Sequence, residues 1–414
     1  GDGGRDMRAG IDFGTSNTAI ALAEGNDVRL AEIEPGLKSI PTAIFYEADT
    51  LGVEIGNAAL ELYSEGEDGR LMRSIKSVLG TDLIEDTTQL DGRRIPFQKV
   101  ISDFLARSIH QIEAAAEDTI DLVVQGRPVS FNDKDPERDQ RAQNVLESCL
   151  KTIGVKDVVF LPEPVAAAFS VDFPMGRENL AFVVDIGGGT SDFSVVRVDG
   201  KNAGVEVLAS SGVYLGGNDF DAILSFQELT PLFGRKETLS ENGLPVPAAP
   251  YATLSDWKSH NMLYLPAMRR EMDWLLKQSP QSAGLKAFNH LIKHFEGGLF
   301  ASKVERMKID LSANTSADFE YSAGPLDITH RVSQSKFNAL IAETVDAMNV
   351  AAMSCLKHAG ITHDQVTDIL TVGGSTFIPA VEHRFTRQFE GASVLDNDRF
   401  SAVARGLARY IKTL

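Results

Sequence analysis

"VVDIGGGTSDFSVV", Val183 to Val196, is the stretch on which the fold turns. A β-branched run ends in an aspartate, three consecutive glycines and a threonine, and a second strand-forming run follows. Apolar runs on either side of a glycine turn read as a hairpin. A tight hairpin turn needs one or two glycines, so three between Asp185 and Asp192 ask for a further reason. Without Cβ atoms, backbone N–H groups can approach phosphate oxygens closely. The flanking carboxylates would repel a bare phosphate, so they make sense only with a cation between. Magnesium fits, because it keeps several waters and is held by one or two carboxylates plus substrate phosphates.

The chain contains the pattern twice. "RAGIDFGTSNTAIAL", Arg8 to Leu22, aligned on Asp12 and Asp185, repeats the apolar run, the Asp-x-Gly step, small residues with a hydroxyl, and a second apolar run. Either copy alone reads equally as a plain hairpin. Together they predict two similar lobes, each with a glycine hairpin at the edge of a sheet. A third site, "DILTVGGSTFIPAV" (Asp368 to Val381), runs an apolar strand into Gly373, Gly374 and Ser375, with a helix starting near Pro379. Strand, glycine turn and helix N-terminus make a cradle for phosphates or polar heteroatoms. The P-loop spacing and the G-x-G-x-x-G fingerprint are both missing, so neither assignment is supported. Asp12 and Asp185, one from each lobe, suit a metal–nucleotide tail.

Composition sets the bounds. At 414 residues the chain has room for two or three domains. Its formal net charge of −18 argues against nucleic acid or an anionic membrane as the main partner. No apolar run reaches the roughly 18 residues of a membrane span. The N-terminus, "GDGGRDMRAG", lacks the apolar core of a signal peptide. The expectation is a cytoplasmic protein with Met7 as its natural start. Cys149 and Cys355 lie in helix-like stretches and read as reduced core residues, and no Cys/His spacing points to zinc. "DFLARSIHQIEAAAEDTI" and "SKFNALIAETVDAMNVAAMSCLKHAG" show i, i+3, i+4 apolar spacing and predict long helices under the sheets.

With those residues in hand, the chain resembles the nucleotide-binding part of the 70-kDa heat-shock chaperone (Hsp70) family, within the actin-like ATPase (ribonuclease H-like) superfold. "GIDFGTSNT" resembles the family's first phosphate loop, "VVDIGGGTSDFSVV" its second and "VGGSTFIP" its adenosine loop. "LPEPVAAAF" (Leu161 to Phe169), "LGGNDFD" (Leu215 to Asp221) and "VERMKIDLS" (Val304 to Ser312) follow the family's order, and "GRPVSFND" places Pro128 at its proline switch. The matches cover nearly the whole chain and are nearest to the short, YegD-like branch. The resemblance implies ATP or ADP with Mg2+ as ligands and slow ATP hydrolysis driving a conformational switch. By it, Asp12, Asp185 and Asp192 would hold the hydrated metal, and Gly14, Thr15 and Ser16 the β/γ-phosphate end, with Asn17, also in the nucleotide site, falling where the family often has an aromatic. Glu163 would orient the attacking water, with Thr190 close to the γ-phosphate. Gly187, Gly188, Gly189, Gly216 and Gly217 would line the phosphate channel. Glu305, Lys308 and Ser312 would meet ribose and adenine, with Gly373, Gly374 and Ser375 beneath the nucleoside. Glu163 reads also as a helix N-terminal charge favoured by the macrodipole, and Glu305 with Lys308 as a surface i, i+3 ion pair.

Departures from the family pattern matter as much. The lysine that closes the family's Gly-Asp-Ala-Ala-Lys stretch, considered essential for hydrolysis, is Leu60 here, in "GNAAL". Arg70, Arg73 and Lys76 follow at i, i+3, i+6, roughly one helical face, either solvated or supplying a substitute cation. The two arginines that flank the base in the family fall on Ile309 and Phe377. Phe377 then reads either as a stacking platform for adenine or as core. The chain ends at "SAVARGLARYIKTL", an amphipathic helix expected to finish the second lobe, with no peptide-binding domain expected after it.

The expected architecture is α/β: two lobes around a nucleotide cleft, with duplicated core sheets and outer subdomains. Lobe I would span 7–179, with its outer subdomain about 39–98, and lobe II 180–414, with its outer subdomain about 223–322. The Pro- and Trp-bearing stretch from Phe226 to Ser302 reads as a partner-protein surface or as padding over a core. A sugar or acetate kinase and a filament-forming actin-like protein are the rival functions on this superfold. No separate Asp motif supplies a kinase's base, and the negative charge makes close self-association costlier.

Overall fold

The computed structural model describes residues 7–199, 204–395 and 397–414; the residues ahead of Met7, on which its reading as a start depends, lie outside the described residues. The first half opens with a hairpin, β1 (Met7–Phe13) and β2 (Asn17–Glu24), to which β3 (Asp27–Leu30) adds antiparallel; β4 (Ser39–Pro41) pairs with the start of β2. An outer part follows. In it β5 (Ala43–Glu47), β6 (Val53–Ile55), α1 (Gly56–Ser64) and β7 (Gly69–Arg73) make a small sheet with one helix, and β8 (Thr87–Leu90) with β9 (Arg93–Pro96) makes a hairpin. Then α2 (Phe97–Ala116), β10 (Ile120–Arg127), α3 (Pro136–Thr152), β11 (Asp157–Pro162) and α4 (Glu163–Phe169) complete the unit, with β10 and β11 parallel to β1.

The second half repeats this plan. β12 (Glu178–Ile186), β13 (Ser191–Asp199) and β14 (Val205–Val213) form the antiparallel part. The outer part is mostly helical: α5 (Gly217–Leu224), α6 (Ala249–Ser255), α7 (Pro266–Gln278), α8 (Ala283–Lys293) and α9 (Gly297–Ala313), then a hairpin of β15 (Ser316–Ala323) and β16 (Leu326–Ser333). α10 (Gln334–Ala359), β17 (Asp368–Val372), α11 (Pro379–Thr386), β18 (Ser393–Val394) and α12 (Ala402–Tyr410) close it. The two core sheets have the same order and sense, β11-β10-β1-β2-β3 against β18-β17-β12-β13-β14. The duplication read from one pair of hairpins therefore extends to whole sheets. One detail differs from expectation: both glycine hairpins are built from interior strands, because parallel crossovers cover the far side of β1 and β12.

Patterning accounts for the elements. β17 (DILTV) is buried along its whole length, as a central parallel strand must be. β15 alternates, burying Ala317, Phe319, Tyr321 and Ala323. α2 buries Val100, Ile101, Phe104, Leu105, Ile109 and Ile112 on one stripe. It stops at Glu117, which adopts the left-handed conformation (φ 54°), so the predicted helix loses its last residues to the start of β10. α10 corrects the reading that no apolar run is long enough for a membrane, since its mean hydropathy reaches 1.3 over such a window. Its apolar side, from Phe337 to Leu356, packs on β13 and β14. Cys149 and Cys355 are free, buried thiols in α3 and α10.

The last helix of each unit lies between the sheets. α4 touches strands of the second sheet, and α12, expected to finish the second lobe, packs on β1, β2 and β10 of the first. The two helices pack on each other through small residues, Ala166 to Ala168 against Gly406. A Cβ at Gly406 would run into the backbone carbonyl of Ala166, and one at Gly10 would come within 2.6 Å of Leu407 Cβ. Gly406→Ala should therefore lower the melting temperature by several degrees, an overpacking cost of about 1–3 kcal/mol. An unchanged thermal melt would show that the helices part freely.

Candidate functional site

The two hairpin turns close identically. Gly14 N donates to Asn17 O (3.0 Å), and Gly187 N donates to Thr190 O (3.0 Å). Thr42 anchors the first turn through Thr42 N to Ser16 O (2.9 Å) and Thr42 Oγ1 to Gly14 O (2.8 Å). The N-terminus of α5 anchors the second, with Gly217 N on Gly187 O (2.9 Å) and Asn218 N on Gly188 O (2.8 Å). The tips of the two turns meet: a Cβ on Gly188 would overlap the hydroxyl of Ser16. A Cβ on Gly216 would sit 2.5 Å from Gly187 O. The second tip therefore has no room for a side chain where it meets Ser16 of the first.

Carboxylates gather beneath it. Asp12 is the next-to-last residue of β1, and Asp185 and Asp192 sit directly opposite one another across the β12–β13 hairpin. Glu163 starts α4, with Pro164 next to it, so it also occupies the favourable end of the helix dipole. Burial, then Glu163, pushes the Asp12 carboxyl up to about 7, against a pull from Lys76. Asp192 also reaches about 7, chiefly through burial and then Glu163, with Lys76 and a hydrogen bond from Thr190 opposing. Asp185 is held well above the ordinary carboxylate range by burial, Glu163, Asp192 and Asp12.

Among the described residues, the ammonium that reaches them is that of Lys76. Its Nζ donates to Glu163 Oε1 at 2.7 Å, with the two side chains only 11% and 12% exposed. Burial works against its charge, but Glu163, Asp12 and Asp185 outweigh that and hold its pKa above the ordinary lysine value. The expectation of a helical face for Arg70, Arg73 and Lys76 is corrected here. Arg70 and Arg73 lie in β7, Ser74 turns left-handed (φ 53°), and Lys76 sits in a short 3-10 turn, Ile75–Val78. Reading "GRLMR" as a strand was the available signal. Leu60, on α1, packs in a small apolar cluster with Ala43, Phe45, Ala59 and Leu71.

The third glycine site adjoins this group. Gly373 (φ 95°) turns the chain out of β17, and a Cβ on Gly217 would lie 2.6 Å from Ser375 Oγ and 3.2 Å from Lys308 Nζ. Lys308 is bound to Gly217 O (3.2 Å) and paired with Asp221 (3.0 Å), while Glu305 lies 4.0 Å from Arg73. Glu305 and Lys308 are thus paired elsewhere rather than with each other. Ser312, on the same helix α9, is half-buried. Phe377 is 39% exposed, so it is not core filler. Its ring stacks beside Phe400 (5.5 Å, 29°), and the Arg399 guanidinium lies 4.4 Å over it. Arg399 and Phe400 come from the "NDRFS" segment after β18, where no periodic signal marks them.

The donor set fits a hydrated magnesium ion bound with phosphates. Among the described residues no three His, Cys, Asp or Glu side chains converge as a cage for a bare ion. Magnesium does not require one, since waters and phosphates complete its shell. Lys76 alone leaves these carboxyls short of counter-charge, as their raised pKa values record, so a divalent cation has a place.

Comparisons with known proteins divide along the chain. The family model described as Hsp70 protein matches residues 299–412, and the one described as MreB/Mbl protein matches residues 98–227. A "Chaperone protein HscA homolog" from Shewanella amazonensis is 26% identical over 425 aligned positions, covering 97% of this chain and 57% of that protein. The chain thus spans little more than half the length of this relative.

The raised carboxyl pKa values set a pH dependence. Folded Asp192, near 7, keeps a proton that the unfolded chain releases near its ordinary value of 3.8, so its contribution to stability is lost as pH rises toward 7. Without nucleotide or magnesium, Asp192→Asn should melt above the unchanged protein at pH 8, and the gap should narrow steadily below pH 7 and close as pH nears 4. A gap that is constant with pH would refute the assignment.

Proposed function

We propose, on the premise that this chain is an Hsp70-family nucleotide-binding domain with the actin-like ATPase fold, that it is a chaperone-related, slow, magnesium-dependent ATPase working as a nucleotide-driven switch. The single observation that carries the reading is the meeting of two hairpin tips, the second made of three glycines, above four carboxylates contributed by both lobes. Such tips favour phosphates through backbone N–H groups, and the carboxylates favour a divalent counter-charge.

In this reading Asp12, Asp185 and Asp192 hold the waters of magnesium, which neutralises phosphate charge when bound. The backbone of Gly14–Ser16 and of Gly187–Gly189 cradles the β- and γ-phosphates, with Asn17 and Thr190 at the two margins. Glu163, at the head of α4, orients the attacking water and accepts its proton. Gly216, Gly217, Gly373, Gly374 and Ser375 back the nucleoside, while Glu305, Lys308 and Ser312 approach it from α9. The base rests on the Phe377 ring, backed by Arg399 and flanked by Phe400.

Contacts between the outer parts close the cleft above the site. Arg73 lies 4.8 Å over the ring of Trp257, and Tyr63 of α1 meets Tyr264 and Gly298 of the opposite lobe. Breaking and remaking this roof is the motion that exchange of nucleotide would drive. The helical outer part exposes Met262, Leu265 and Trp274, the chemistry of a surface for a partner protein.

Calorimetry with ATP and ADP, with and without magnesium, and single-turnover phosphate release test the proposal on one sample. Magnesium-dependent binding with slow release is the expected result; absence of binding to either nucleotide would reject the reading of the three glycine sites. Separately, Phe377→Ala should weaken binding of both nucleotides about tenfold, since stacking on an aromatic is worth roughly 1–3 kcal/mol. An unchanged affinity would remove the ring from the base site.

A further inference from the structure

A cavity lies at the far end of the elements that carry the carboxylates. α4 runs from Glu163 at the site to Phe169, and β13 runs from the level of Asp192 to Val198 and Asp199. Around those far ends opens a space of about 1000 Å³, bordered by β3, α4, β13, β14 and α12, and so by both halves of the chain. That volume is at the upper end of the roughly 300–1,000 Å³ of small-molecule pockets. No residue assigned above to phosphate, metal or nucleoside borders it.

Its lining is of two kinds. Phe169, Val171, Phe173 and Val205 are half-buried and, with buried Val198, leave apolar surface facing the space. The remaining side is basic: Arg405, Arg409 and Lys412 follow at i, i+4, i+7 along α12 and the turn after it. Three cations on one helical face stand out in a chain of net charge −18. Lys412 Nζ donates to the backbone carbonyl of Asn26, which leaves its charge uncompensated. Arg409 Nη1 donates to Phe169 O (3.3 Å) and comes within 3.9 Å of Asp172, whose full exposure makes the pair weak. Arg405 spends its Nε on Ser401 Oγ (3.1 Å), and among the described residues no carboxylate is paired with its guanidinium. Asp27 and Asp199 complete the border from β3 and β13.

We propose that this cavity binds a single-chain carboxylate amphiphile, with the apolar chain along Phe169, Phe173 and Val198 and the head on Arg405 and Arg409. The planar fork of a guanidinium matches a carboxylate through two parallel hydrogen bonds, and the Nη atoms of Arg405 are open to make them. A small inorganic anion would gain nothing from the apolar wall. A neutral apolar molecule would leave the cations unanswered. One molecule carrying both features answers the whole lining. Its chain would touch strands of the second sheet and the end of α4 together, so binding favours one setting of the two halves. The inference stands apart from the nucleotide reading of the cleft, and neither depends on the other.

The test is calorimetric titration of the whole chain with decanoate and dodecanoate, each below its micellar range. Saturable one-to-one binding is expected, about tenfold tighter for dodecanoate, because each buried methylene multiplies affinity about fourfold. Dodecyltrimethylammonium, the same chain length with a cationic head, should not bind. Arg405→Gln should weaken dodecanoate about tenfold, as expected for loss of a hydrogen bond between charged groups, and adding Arg409→Gln should weaken it further. Absence of saturable binding, no gain with chain length, equal binding of the cationic amphiphile, or a double variant that binds as before would each overturn the proposal. Binding of an apolar peptide ending in a carboxylate, where dodecanoate does not bind, would give the cavity to a protein segment and overturn it equally. Should the arginine variants fail to fold by their thermal melts, the chain-length and head-group comparisons on the unchanged protein still decide.

Discussion

Asp185 and Asp192 face each other across an antiparallel hairpin, and two like charges at such a position repel. Burial adds to the repulsion by disfavouring both ionised forms. Three outcomes can relieve the conflict: a proton on one carboxyl, a lysine nearby, or a metal ion with its water. The first two are supplied by the chain itself, through the raised carboxyl pKa values and through Lys76. Each is incomplete, and that incompleteness makes the pocket receptive to a divalent cation. The three glycines between the aspartates serve the same end, since they leave backbone donors and open space where a counter-anion would have to sit.

The rest of the fold presents that pocket from two sides. Each half builds its hairpin on interior strands, so the turns are held from both flanks and their tips cannot drift. Each half then sends its last helix across to the other: α4 toward the second sheet, α12 onto the first. The joint between lobes is consequently a pair of helices packed through alanines and Gly406, with little side-chain bulk between their backbones. Such a contact suits small relative rotations of rigid parts better than sliding. The outer parts, far from this joint, meet through Arg73 with Trp257 and Tyr63 with Tyr264. The two halves are thus joined at two levels, at the base by these helices and above by the outer parts.

Legibility in the sequence followed the range of the interactions involved. Glycine runs beside aspartates are local, and the duplicated hairpins, the strand-turn-helix at Gly373 and the two long helices could all be read from short segments. The identical sheet orders followed from the repeat. What escaped depends on the distant course of the chain. Lys76 is 87 residues from Glu163, and its spacing to Arg73 imitated a helix because strand β7 and a 3-10 turn happen to follow one another. The return of α12 to the first sheet leaves no local trace, because amphipathic spacing shows that a face is buried but not against what. Arg399 and Phe400 lie in a non-periodic segment, and only the turn of the chain beside Gly374 brings them to Phe377.

The segment from Arg73 to Lys76 joins the two levels of the cleft. Arg73, the last residue of β7, holds the roof through Trp257; three residues on, Lys76 holds Glu163 at the floor. Between them Ser74 is fixed in the left-handed region, which a serine adopts only when its surroundings enforce it. The segment is therefore short and conformationally defined, with buried Ile75 and Val78 tying it to the core. A displacement of Lys76 cannot be absorbed by slack in so short a link; it must be met by the lysine's own four-carbon stem or passed to β7. In the first case floor and roof act independently. In the second, a movement that draws Lys76 off Glu163 also shifts Arg73 against Trp257, and the two levels of the cleft respond together.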